Sequence, residues 1–289
     1  MKKYLYVAIV AVFAIAALAG YDYFRFNDGR LHIVFCDVGQ GDAILITTPG
    51  KKRILVDAGP DRKVLSCLNK HMPFWERRID LVLLSHPHAD HYFGLYHILD
   101  QYKVGSFGTE ALVNESRNYQ HLMQLLSVKR ISQHTLFAGY KVELDKDLFL
   151  TIEGPTAEFL RTNSPDGTID ESQNFGNLLP RITYGSFDIL FTGDSQKEGL
   201  LEAVERIGKP VDVLQVPHHG SATGLDEGIL DELRPSLLVV SVGKNSYGHP
   251  TQYILNLASK KQIKLLRTDK MGDIEITTDG KQERYQVKN

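Results

Sequence analysis

The run Ser85-His86-Pro87-His88-Ala89-Asp90-His91 constrains this chain more than any other feature, because it sets three imidazoles and a carboxylate into six consecutive residues after an apolar stretch, Ile79–Leu84. Divalent ions such as zinc take neutral imidazole nitrogen and carboxylate oxygen, and a catalytic site keeps a coordination position open for water. The spacing is equally informative. In an extended segment leaving a strand, His86 and His88 point to the same side. Asp90 and His91 reach a second point once the chain turns into a helix, so the pattern predicts two neighbouring metal points at a strand end. The alternative is a solvated His-rich loop.

Elsewhere the chain carries Phe35–Ala43 (FCDVGQGDA), Ile54–Gly59 (ILVDAG), Leu190–Asp194 (LFTGD), Val216–Ser221 (VPHHGS) and Tyr247–Pro250 (YGHP). Together with His-x-His-x-Asp-His, and in that order, these segments resemble the metallo-β-lactamase fold superfamily of hydrolases. Within it they resemble the ComEC/Rec2-like branch, which includes the hydrolase domain of bacterial DNA-uptake channels. The resemblance runs from about Ile33 to about Thr278. It implies an α/β fold, an αββα four-layer sandwich, occupying residues 31–289.

Length and composition are compatible with this. A chain of 289 residues that is 43% hydrophobic can bury one large core. The net charge of −2 excludes a global attraction for nucleic acid. Any polyanion site must therefore be a local basic patch, for which Lys51-Lys52-Arg53, Arg77-Arg78 and Lys260-Lys261 are candidates beside their reading as solvated surface. Cys36 and Cys67 are too few for a disulfide framework. They admit one bridge, but Cys36 lies in an apolar strand and reads as a small buried hydrophobe.

Residues 1–20 are of another kind. Lys2 and Lys3 precede an apolar stretch from Tyr4 to Ala19, which reads as a membrane anchor or signal segment followed by a short linker, 21–30. The two lysines favour a cytoplasmic amino terminus and an extracytoplasmic domain. Ala17-Leu18-Ala19 has the small-x-small form of a cleavage site, and cleavage would make the domain secreted; the expectation is an uncleaved anchor. This chain shows one such apolar segment, so a channel for DNA is not expected from it.

Beyond the anchor, strands are expected at Leu31–Cys36, Asp42–Thr47, Arg53–Val56, Arg181–Thr183, Phe187–Phe191, Val211–Val216 and Leu237–Ser241. Helix-like apolar spacing covers Val64–His71, Tyr92–Gln101, Tyr119–Leu126 and Lys197–Ile207. The polar segment Ala157–Gly176 reads as a long loop, either bordering the site or a surface insertion.

The remaining site residues follow from the resemblance and from residue type. Asp194, after an apolar run, is placed to share its oxygens between two ions. His218 is the expected ligand of the His218-His219 pair, with His219 contacting substrate or orienting a ligand. Asp57 resembles the family's early Asp, which supports the His cluster by accepting a ring N–H. One departure matters. The third histidine that two-zinc members place between the His cluster and Gly-Asp is missing, and Asn174 stands in that region. An amide oxygen binds zinc weakly. His86 and His88 with Asn174 thus form a labile first site, while Asp90, His91, Asp194 and His218 form a firmer second one. One or two zinc ions are expected, and the high oxygen share admits manganese. Asp90, His219 and His249 are the candidate catalytic residues, His249 as general acid or phosphate contact. Phosphodiesters suit such a site, single-stranded DNA among them. Another envelope ester (a phosphorylcholine ester, lactone or lactam) and a non-catalytic binding module are the competing readings. The sequence leaves the oligomeric state open.

Overall fold

The computed structural model describes residues 2–170, 173–281 and 286–288. It begins with helix α1 (Lys2–Arg25), which continues past the predicted end of the anchor and leads into β1 (Leu31–Phe35), β2 (Ile44–Thr47) and β3 (Arg53–Val56). There follow α2 (Lys63–His71), β4 (Arg78–Leu84), α3 (Ala89–Tyr92), α4 (Gly94–Gln101), β5 (Lys103–Thr109), α5 (Arg117–Val128) and β6 (Ser132–Thr135). The second half comprises β7 (Lys141–Asp145), β8 (Leu148–Ile152), α6 (Ala157–Asn163), β9 (Pro180–Tyr184), β10 (Phe187–Leu190), α7 (Lys197–Ile207) and β11 (Val213–Gln215). It closes with α8 (Glu227–Leu233), β12 (Leu237–Val240), α9 (Gln252–Lys260), β13 (Lys264–Arg267), α10 (Thr268–Met271), β14 (Ile274–Thr278) and β15 (Gln286–Lys288).

Among the described residues these strands form two mixed sheets, ordered β15-β14-β1-β2-β3-β4-β5-β6 and β13-β12-β11-β10-β9-β8-β7. Alternation along each strand explains why they stack. Ile33 and Phe35 of β1 face inward and meet Ile182, Ile189, Phe191 and Val239 of the opposite sheet, and the Phe35 and Phe191 rings lie 6.2 Å apart. Val34 and Leu45 face outward against Leu65 and Leu68 of α2 and Ile98 of α4. On the far side Leu214 and Leu238 pack under Leu200 of α7, Ile229 of α8 and Ile254 of α9. Helices on both outer faces of two packed sheets make the αββα sandwich.

Two expectations are corrected here. Cys36 is not a free buried thiol: it is disulfide-bonded to Cys67 across 31 residues, because α2 crosses the outer face of β1 and brings the two side chains together. The polar segment opens with a helix rather than a loop. α6 covers Ala157–Asn163, started by Thr156, whose hydroxyl accepts the Phe159 amide and so satisfies a helix-end donor. The polar composition masked its one inward anchor, Leu160, which packs with Leu112 and Ile169. Glu171 and Ser172 lie outside the described residues.

Candidate metal centre

β4 ends at Leu84, and the chain passes through Ser85 and the His-Pro-His segment into α3. Its ends are pinned. The Ser85 amide donates to Asp57 Oδ1 at 2.7 Å, and the Asn114 side chain donates to the Pro87 carbonyl at 2.9 Å. From the other sheet, β10 delivers Asp194 and β11 delivers the His218–Gly220 turn. Gly193 is required where these meet: its φ is +49°, and a Cβ there would crowd Asn177 Oδ1 and Ser85 Cβ at 2.7 Å. Gly41, at φ +139°, carries the Asp37–Gly41 loop directly against the Asp90 carbonyl, where no side chain fits.

The result is a buried cluster in which one ligand atom each from Asp90, His91, Asp194 and His219 lies within 4.8 Å of all the others. His91 Nε2 is 3.3 Å from Asp194 Oδ1, and His219 Nε2 is 3.4 Å from the same oxygen and from Asp90 Oδ2. His218 lies outside this group, 3.6 Å from the other oxygen of Asp194. His219 therefore joins the cluster in the place predicted for His218, while His218 faces the other oxygen of the same carboxylate. Both adopt left-handed backbone (φ +51° and +54°), so the alternation of an extended strand does not continue through the pair. His86 and His88 stand alongside, their rings 4.2 Å apart, and His86 is equally close to the His91 ring. Asn174 Oδ1 is buried without a hydrogen-bond partner. His249 lies at the mouth, its ring 5.5 Å from that of His218, and Asn245 clamps its backbone through both the N–H and the carbonyl.

The surrounding hydrogen bonds fix the free nitrogen of each ring, since their partners can only accept. His91 donates from Nδ1 to Asp57 Oδ2 at 2.9 Å, and His219 from Nδ1 to the Ser241 carbonyl at 2.9 Å. His88 donates from Nε2 to the Asp170 carbonyl. Ser85 Oγ donates to Asp57 Oδ2 and so accepts from His86 Nδ1 at 3.0 Å. Nε2 of His86, His91 and His219 and Oδ1 of Asp194 are then buried with no partner. Buried polar atoms are ordinarily paired, and an imidazole whose other nitrogen is anchored is the usual form of a metal ligand.

Electrostatics point the same way. Burial opposes every charge here, yet Asp194, Asp90 and Asp57 hold His91 well above the ordinary imidazole range. His219, likewise buried, is raised to about 10, chiefly by Asp194 and Asp90. Burial would raise Asp194, but His219 and His91 hold it far below the usual carboxylate range. The carboxylates of the cluster thus hold positive charge on the imidazoles between them, a charge that a divalent cation would supply in place of those protons, and the residues fit such a cation.

Two participants carried no assigned role in the sequence. Asp42, buried behind the cluster, is pushed up to about 6 by burial against the pull of His219 and His91, and accepts from Gln215 Nε2 at 2.7 Å. Ser85 ties Asp57 to both His86 and His91. Asp42 belongs to the GQGD turn and Ser85 to the His run, so both were on view, but only tertiary contact shows what they touch.

An inter-sheet centre built from His-x-His-x-Asp-His, a Gly-Asp and a His-His-Gly turn defines a metal-dependent hydrolase site. A model of the metallo-beta-lactamase superfamily matches residues 36–243, and the chain belongs to that superfamily of hydrolases. Its relatives place it in the ComEC/Rec2-like branch. It is 28% identical over 269 residues to ComE operon protein 3 of Bacillus subtilis, covering 86% of this chain and 33% of that protein. It is 25% identical over 245 residues to Recombination protein 2 of Haemophilus influenzae, covering 83% and 28%. The chain therefore spans about a third of the length of these relatives. Among solved structures, zinc-bound PqqB from Methylobacterium extorquens shares the fold, with a TM-score of 0.52 at 15% identity over 83% of this chain and 87% of that one.

Proposed function

We propose that this protein is a membrane-anchored, extracytoplasmic zinc hydrolase of phosphodiesters, with single-stranded DNA as its substrate class. The observation that carries the metal-dependent chemistry is the convergence of unpartnered, buried nitrogen and oxygen atoms from His91, Asp194 and His219 beside the half-buried Asp90 carboxylate. These four would hold one ion. His86, His88 and His218, with the second oxygen of Asp194, would hold another, and Asn174 is a weak further donor. Zinc suits the imidazole share and manganese the oxygen share. Such an ion supplies Lewis acidity and a water acidic enough to act as a nucleophile near neutral pH.

The protein's own groups do the rest. Asp57 and Ser85 fix the His86 and His91 rings, and Ser241 fixes His219. His249, half-buried at the mouth, is placed to meet charge developing on the leaving oxygen. The exposed Tyr247 lies 5.8 Å from His249, and Lys244 is on the same loop, a pairing of aromatic and cation that suits a single strand better than a duplex. The names of the curated relatives, which include Recombination protein 2 and the Competence protein ComA of Neisseria gonorrhoeae, support a DNA-related substrate.

Location is supported by three features. α1 holds an apolar span, Lys3–Tyr23, of mean hydropathy 2.1 that is not covered by the domain. Lys2 and Lys3 stand at its amino end. The Cys36–Cys67 bridge belongs in an oxidising compartment. A reporter fused after Asn289 is expected to be active only if it works outside the cytoplasm.

The test is metal analysis of the purified protein coupled to hydrolysis of single-stranded DNA, duplex DNA and bis(p-nitrophenyl) phosphate, with and without chelator. Activity that survives complete metal removal refutes the metal-dependent reading. Absence of turnover of all three by metal-replete protein refutes the phosphodiester reading. Asp90→Ala should cost more activity than Asn174→Ala. His249→Ala should lower kcat on an alkyl phosphodiester by roughly 10²–10⁴-fold with metal content unchanged, and a nitrophenyl leaving group should mask much of that loss.

A further inference from the structure

The topology separates the two ends of the first sheet. β1 pairs antiparallel with β2 and β2 with β3, so β1 runs parallel to β3, and β3, β4 and β5 are parallel to one another. Leu31, Arg53, Arg78 and Lys103 therefore begin their strands at one end, and the metal centre lies at the other. The seven residues of β4 put roughly 23 Å between them at about 3.3 Å per residue.

Three features meet at the strand-start end. The first is the anchor. The Lys51 ammonium, in the turn between β2 and β3, lies over the Tyr23 ring, and Arg25 donates to the Lys70 carbonyl at the end of α2. The second is a pair of exposed aromatics just beyond α2, Phe74 and Trp75, 56% and 48% accessible and packed edge to face on each other rather than into the core. The third is a cleft of about 780 Å³ lined by Arg77, Arg78, Lys103 and Lys129, with Glu76 and Asp100 as its acids. Arg78 is paired with Asp80, but among the described residues Arg77, Lys103 and Lys129 have no carboxylate within ion-pair distance.

We propose that this end is a membrane-apposed surface: Trp75 and Phe74 sit at the headgroup level, Arg77, Lys103 and Lys129 contact anionic phospholipid headgroups, and the metal centre is held facing away from the bilayer. Aromatic side chains favour the membrane–water boundary, and basic residues are drawn to anionic lipid. A nucleic acid would also suit aromatics beside cations, but a strand bound here lies a sheet's length from the metal centre, whereas the anchor brings lipid to this surface. The inference rests on the proposed reading that the anchor is retained.

Trp75 is the chain's one tryptophan, so the full-length protein carries its own probe. It would be reconstituted in nanodiscs of phosphatidylcholine alone or mixed equally with phosphatidylglycerol, containing lipid brominated near the headgroup end of its chains. Retention of protein with the discs reports the anchor, and quenching of Trp75 reports the surface. Quenching that requires phosphatidylglycerol, and a seated fraction that falls on the order of a hundredfold in ratio when Arg77→Glu, Lys103→Glu and Lys129→Glu are combined, is the expected result. Retention and metal content should not change in that variant. Retained protein with unquenched Trp75, or quenching indifferent to the three substitutions, overturns the proposal while leaving the anchor standing. Protein that does not stay with the discs overturns both, through the retention readout. Quenching by a single-stranded oligonucleotide but not by brominated lipid reassigns the surface to nucleic acid and likewise overturns it.

Discussion

Replacing Asp57 by Asn isolates what holds the His91 ring in its metal-ready form. The change is nearly isosteric, and Asn tolerates the left-handed backbone (φ +58°) that Asp57 adopts. In the native site the Asp57 carboxylate accepts three hydrogen bonds, from the Ser85 amide at 2.7 Å, Ser85 Oγ at 2.7 Å and His91 Nδ1 at 2.9 Å. An amide oxygen can keep the first. The amide nitrogen then occupies the position facing His91 and donates to Nδ1, which moves the ring proton to Nε2, the atom that faces Asp194 and Asp90. That nitrogen can no longer offer a lone pair. Loss of such an outer partner typically weakens metal binding by about 10–100-fold, or roughly 1.4–2.7 kcal/mol. Zinc titrated calorimetrically into chelator-stripped Asp57→Asn should show this drop, with a circular dichroism spectrum like the wild type's. An affinity within about twofold of wild type would show that Asp57 does not set the His91 tautomer, and the orienting argument would fail.

Other outcomes follow from the same contacts. Gly41→Ala puts a Cβ against the Asp90 carbonyl at a positive φ; strain alone costs about 1–3 kcal/mol, so both the urea midpoint and the metal content should fall, and an unchanged protein would mean the loop does not brace Asp90. Reduction of the Cys36–Cys67 bridge, or Cys67→Ser with Cys36→Ser, should lower stability by about 3–4 kcal/mol from the 31-residue separation it closes, read as a shift in denaturation between oxidised and reduced protein. For Asp273, burial would raise the carboxyl, but hydrogen bonds from His71, the Asp37 amide and Lys70 outweigh it and hold it well below the usual range. Its contribution is therefore complete above the unfolded carboxylate pKa of about 3.9 and is lost as pH falls below that value, so Asp273→Asn should flatten the acid limb of stability between about pH 4 and 2. An acid limb as steep as the wild type's would refute that assignment.

What the sequence by itself determined was local. His86, His88, Asp90 and His91 lie within one strand end and the turn after it, so spacing alone was enough to read them as a cluster, and apolar runs such as those of β1, β10 and α7 were enough to read these segments as strands and a helix. Nonlocal relations were decided by the packing of the two sheets. His218 and His219 are equivalent by residue type and differ by one position; two successive left-handed residues turn His219 into the cluster, and no periodicity argument reaches a turn of that kind. The sequence admitted a Cys36–Cys67 bridge but favoured a small buried hydrophobe at Cys36, and the bridge was decided only when α2 lay across β1. Asp42 and Ser85 acquire roles only because β11 carries Gln215 to one and β3 carries Asp57 to the other. Lys51 and Arg77 belong to short basic runs that the sequence left as either local patches or solvated surface, and Lys103, which carried no reading, stands apart from both over 53 positions. Parallel strand starts bring them to one end of the sheet, opposite the metal centre, because strand direction is a property of the assembled sheet and not of any segment within it.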